Sequence, residues 1–120
     1  MEIYINERLY NNNNLVVENK LIKAKTSMDE ILFSENDNDV IITNNTKYFK
    51  FYCQSLDYSY KINYDYDKKT ATAEIKLNEM KEYLSIKVEY FDLVCNDKTI
   101  EMTYKLESND TINKLIIDIL

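Results

Sequence analysis

Tyr58-Ser-Tyr60-Lys-Ile62-Asn-Tyr64-Asp-Tyr66 places a large ring or branched chain at every second position. Asp57, Ser59, Lys61, Asn63 and Asp65 between them are small, polar or charged. A strand points successive side chains to opposite faces, so this stretch has one apolar face and one wet face. The same two-residue period returns along most of the chain. Ile3, Ile5 and Leu9 alternate with Glu2, Tyr4, Asn6 and Arg8 as an opening strand. Residues 15–25 read as a second strand, interrupted near Glu18-Asn19-Lys20.

Further strands are expected at 40–43, 47–53, 57–66, 70–77, 83–94, 99–106 and 112–120, with short turns between them. Asn44-Asn45 suits a type I′ turn. Ala71, Ala73, Ile75 and Leu77 form a row whose small members fit opposite the tyrosines. In the 83–94 segment the inner row runs Leu84, Ile86, Val88, Tyr90 and then changes phase to Phe91 and Leu93. That slip marks a β-bulge or a corner. Ser27-Met-Asp-Glu30 has the form of a capping box, and Met28, Ile31 and Leu32 follow at helical spacing. One short helix is therefore expected near residues 28–34. The connections are too short for parallel crossovers. The expected fold is all-β: residues 1–120 as a single domain, an antiparallel meander of about eight strands closed into a small barrel or sandwich.

Composition bounds the chemistry. The 120 residues suffice for one core, at 45% hydrophobic and 30% charged. Gly and Pro are both absent, Ala occurs three times and Arg once, while Asn occurs fifteen times. That bias reads as AT-rich coding of the kind found in low-GC bacteria, their phages and plasmids. Turns that need positive φ must then use Asn or Asp. Net charge is −6, split evenly at −3 per half, with no basic stripe. Nucleic-acid and anionic-membrane binding are disfavoured on that ground. No stretch reaches the length of an apolar membrane span, and the first residues lack a secretory pattern. A cytoplasmic setting, of the source cell or an infected host, is the expectation.

With no His there is no imidazole base, nucleophile pair or imidazole ligand. With no Gly there is no glycine-rich phosphate cradle. Cys53 and Cys95 form no CxxC. Glu35, Asp37 and Asp39 alternate as in a calcium loop, but the loop's glycine and twelfth-position glutamate are missing, so a solvated acidic turn is favoured. No cofactor, metal or catalytic residue is assigned, and the chain is read as not an enzyme.

The tyrosines support a sharper reading. Tyr48, Tyr52, Tyr58, Tyr60, Tyr64 and Tyr66 fall in one hairpin region. They line the inside of a small barrel or sandwich, form an exposed interface, for which Tyr gives large contact area at low entropic cost, or surround a ligand cavity. With Glu35, Asp37 and Asp39 they are the candidate partner-binding residues. The function expected is a non-catalytic protein-binding module, an inhibitor of anti-defence or immunity type carried by a phage or mobile element. Its partner is a protein with a basic surface, and a homodimer is compatible with an open tyrosine face.

The segment from Tyr60 to Leu120 resembles the closing hairpins of calycin-like barrel proteins. Leu84-Ser-Ile86, Ile100-Glu-Met-Thr-Tyr104-Lys-Leu106 and Leu115-Ile-Ile117 carry the likeness, a rhythm of strands and turns over half the chain. The resemblance implies a barrel. The alternative function is a calycin-like barrel binding a small hydrophobic ligand inside.

Overall fold

A computed structural model describes residues 1–107 and 109–120. Ten strands make up the fold: β1 (Glu2–Asn11), β2 (Asn14–Ser27), β3 (Glu30–Glu35), β4 (Asn38–Asn44), β5 (Tyr48–Gln54), β6 (Tyr58–Asp65), β7 (Thr70–Leu77), β8 (Leu84–Cys95), β9 (Thr99–Leu106) and β10 (Asn113–Ile119). Each strand pairs with its neighbours in sequence, and β10 returns to pair with β1. The hydrogen-bonded order is a closed antiparallel barrel, so the all-β meander is as expected, with ten strands rather than about eight.

The expected helix at 28–34 is a strand. Ser27 pairs with Glu30 across a tight turn in which Met28 takes φ 32°, and Ile31 and Phe33 then alternate with Leu32 and Ser34. Two turns of helix have little propagation to offset a costly nucleus. The strand instead gains ladders on both sides, to β2 and to β4. No helix occurs among the described residues, and hence none long and apolar enough to cross a membrane.

Contacts divide the chain into two compact units that share β2 and β8 as continuous strands. One comprises Ala24–Lys87 with Met1, the other Glu2–Lys23 with Val88–Leu120. In the first, register puts Phe33, Val40, Cys53 and Tyr60 in one row of the buried face, and Ile42, Phe51, Ile62 and Ala73 in the next. Phe49, Phe51, Ile42 and Ile62 are nearly sealed from water, which stabilises by roughly 1.5–3 kcal/mol per large side chain. In the second, Ile5, Met102, Leu115 and Ile117 form the buried face.

Both shared strands change phase where they pass from one unit to the other. In β8 the register shifts between Val88 and Tyr90, and Phe91, Leu93 and Cys95 take over the side facing β9's Tyr104, Met102 and Ile100. The sequence expects a slip here but places it after Tyr90; the structure places it before Tyr90, which leaves that ring on the exposed side. In β2 the strand is unbroken, but Leu21 adopts φ 55°. Val17 and Asn19 are half-buried before it; after it Ile22 is half-buried and Ala24 fully buried.

Candidate functional site

Register separates the tyrosines into two sets. Tyr58, Tyr60 and Tyr64 lie on the buried face of β6, opposite Leu77, Ile75 and Ala71 of β7. Tyr60 also faces Cys53, and Tyr64 faces Phe49. Each is half-buried. Tyr60 sits with its ring centroid 5.7 Å from Phe51 and 6.1 Å from Tyr58, and Tyr64 meets Tyr66 edge-on at 5.5 Å. Such spacing is that of packed aromatic pairs. Tyr66 lies in the turn beyond β6, its hydroxyl donating to Asn44 Oδ1. Tyr48 and Tyr52 project from the other face of β5. The six tyrosines therefore do not make one continuous surface.

On that exposed face Tyr52 belongs to a row that crosses five strands. Leu32 on β3, Ile41 on β4, Tyr52 on β5, Lys61 on β6 and Glu74 on β7 are successive register partners. The next row toward the β3–β4 turn is Ser34, Asp39, Gln54, Ser59 and Lys76. An apolar strip of Leu32, Ile41 and the Tyr52 ring is thus bordered by a polar strip carrying Asp39.

The end of the polar strip is built over by Tyr83. This residue stands just before β8, and its hydroxyl hydrogen-bonds Ser59 Oγ at 3.0 Å, which leaves Ser59 only 3% exposed although it faces away from the core. Lys61 Nζ lies 4.2 Å from the Tyr83 ring centroid, a cation–π contact. The Tyr52 hydroxyl donates to Gln54 Oε1 at 2.9 Å. Burial, with Tyr83 beside it, pushes the Tyr52 phenol above its ordinary value.

Glu35 ends β3 in the phase of buried Phe33, Asp37 lies in the β3–β4 turn and Asp39 lies on the opposite face of β4, so the three do not converge on a common point. Asn36 and Asp37 are the turn's two central residues at φ 44° and 66°, Glu35 pairs with Asn38, and Asp39 accepts a hydrogen bond from Ser34 Oγ. No group of three His, Cys, Asp or Glu side chains that could hold a metal ion occurs among the described residues. The same end of this unit carries the β5–β6 turn, with Leu56 and Asp57 exposed, and the β7–β8 connection, with Glu79 and Glu82 exposed. A clamp fixes the two connections. Gln54 Nε2 donates to Ser55 O at 2.9 Å, Asn78 Nδ2 donates to Leu56 O, and Asn78 N donates to Asp57 O at 3.0 Å.

Glu7 is a functional-looking residue that the sequence reading passed over. It is 3% exposed, on the buried face of β1 opposite Ile117, and accepts from Asn19 Nδ2 at 3.4 Å. The signal was the one polar interruption in the row Ile3, Ile5, Leu9. Leu32 escapes a helical reading of 28–34, although the alternation through Glu30–Glu35 marks it as outward-facing; Ile41 falls in an expected strand, but which of its faces is exposed follows only from the pairing with Leu32 and Tyr52.

Compared with known proteins, the chain matches no family model, no curated protein sequence and no solved structure.

Proposed function

We propose that this chain is a non-catalytic protein-binding module, an inhibitor or accessory factor of the anti-defence or immunity type. It acts in the cytoplasm of the cell that makes it or of a host its genetic element enters. The observation that carries this reading is the strip Leu32, Ile41 and Tyr52 on the exposed face of β3–β5, bordered by Asp39 and by the turn bearing Asp37. An apolar and aromatic centre with a charged rim is the anatomy of a recognition patch. The strands that carry it are held in ladders on both sides, so little order has to be gained on binding. A net charge of −6 favours a basic partner and speeds the encounter.

The test is affinity capture from lysates of AT-rich bacterial hosts, with wild-type chain beside Tyr52→Ala and Asp39→Lys. A protein retained by wild type, released by raised salt and lost from both variants is expected. Retention of nothing above background, or equal retention by the variants, removes the proposal.

A further inference from the structure

A second feature of the same unit points to a small ligand rather than a protein. On the exposed face of β5–β7 lies a cleft of about 470 Å³. Two register rows form its floor: Lys50, Asn63 and Thr72 in one, Tyr48, Asp65 and Thr70 in the other. Lys68 enters from the β6–β7 turn. The volume lies within the range of small-molecule sites and holds on the order of fifteen waters, far more than a lone oxyanion displaces.

Its polar groups are mostly donors. The ammonium groups of Lys50 and Lys68 make no ion pair among the described residues. The one carboxylate, Asp65, is committed to the backbone: Oδ1 accepts from Asp67 N at 2.9 Å and Lys68 N at 3.0 Å. That pair of bonds fixes the turn that presents Lys68. Asn63, Thr70 and Thr72 add an amide and two hydroxyls, and Tyr48, 40% exposed, stands at one side. Two unpaired cations, neutral donors and an aromatic surface in one concavity are the groups that recognise an oxyanion joined to a sugar or ring.

We infer that this cleft binds a small phosphate ester, with Lys50 and Lys68 on the phosphate, Asn63 and the threonines on the hydroxyls, and Tyr48 against the sugar or base. The net negative charge of the chain opposes any anion at long range, so binding depends on these local donors. The site shares no residue with the Leu32–Ile41–Tyr52 strip, whose row adjoins it on the same face of β5, and either proposal can fail without the other.

The test is a titration followed by amide chemical shifts, with adenosine monophosphate, ribose 5-phosphate, inorganic phosphate and adenosine as probes. The two esters are expected to move the amides of Lys50, Asn63, Lys68 and Thr72, adenosine to leave them in place, and inorganic phosphate to bind more weakly than the esters. K50A/K68A should lower ester affinity about ten- to a hundredfold, as loss of charge-assisted hydrogen bonds does. Lys68→Glu alone, at an exposed turn where folding is not at stake, should abolish it. No response to either ester, shifts spread over lysines throughout the chain, or unchanged affinity in K68E overturns the assignment. Equal affinity for inorganic phosphate and the esters also overturns it, because the Tyr48 side would then contribute nothing.

Discussion

Asparagine and aspartate do glycine's work here in two distinct ways. In the two-residue turns the backbone itself goes left-handed, at Asn12 and Asn13 (φ 49° and 68°) and at Asn36 and Asp37. In longer turns the side chain closes the loop instead: Asn45 Oδ1 accepts from Lys47 N and Tyr48 N, and Asn96 Oδ1 from Lys98 N and Thr99 N. The Asn44-Asn45 pair, expected to form a type I′ turn, belongs to this second kind. Leu21 has no such side chain, yet it sits at φ 55° and is 67% exposed. A branched residue there costs about 1–2 kcal/mol, so Leu21→Gly should raise stability by about 1 kcal/mol in urea unfolding, after the entropy glycine loses on folding. Asn19→Ala should do the reverse. It withdraws a donor from the buried Glu7 carboxylate and should cost about 1–3 kcal/mol by the same measurement. Tyr52 gives a pH signature. Its folded pKa lies above the ordinary 10.0, so the stability it contributes is complete below pH 10 and lost as pH rises through the folded value. Tyr52→Phe should therefore flatten the fall in urea midpoint above pH 10, and a wild-type slope in that variant would exclude Tyr52 as its source.

The strand is the scale at which the sequence was most readable. The Tyr58–Tyr66 ladder, the alanines of β7 opposite it and the phase slip in β8 all follow from a period of two, which survives any uncertainty about turn types. β3 was lost because a local signal, Ser27 to Glu30, satisfies a helix cap on paper. The ladder bonds that decide the matter come from the flanking strands, Asn38 to Thr43 on one side and Lys25 to Ser27 on the other, which the cap pattern does not take into account. The proposed binding face is legible only in part for the same reason. Tyr52 was visible as a tyrosine, but its position beside Ile41 and Leu32 depends on pairing between strands, which no single strand encodes. The two faces of β5 should separate cleanly on mutation. Phe51→Ala should cost about 3–5 kcal/mol, whereas Tyr52→Ala, half-exposed, should cost about 1 kcal/mol and act on binding.

For the molecule as a whole, the decisive pairing is the one between its most distant segments. β10 lies between β1 and β9, with Leu115 and Ile117 facing Leu9 and Glu7 on one side and Met102 and Ile100 on the other. Asp118 ties the three together, accepting from Arg8 at 2.9 Å and from Thr99 Oγ1 at 3.1 Å. Removing residues 113–120 would leave β1 and β9 with open edges. Such a variant should lose its cooperative unfolding transition and self-associate, which circular dichroism and size-exclusion chromatography would show. A monomeric, cooperatively melting variant would mean that closure is dispensable.

Closure at that seam imposes a wait. Asn12 and Ile112, which share two backbone-anchored hydrogen bonds beside it, stand 100 residues apart. A ribosome takes roughly 5–20 s to add that much chain, during which the first strand has no companion on that flank. Leu115-Ile-Ile-Asp-Ile, the piece that finally joins it, is itself among the stickiest in the sequence. Production at low temperature or with a holding chaperone should thus raise the yield of dispersed protein more than any change to the surface.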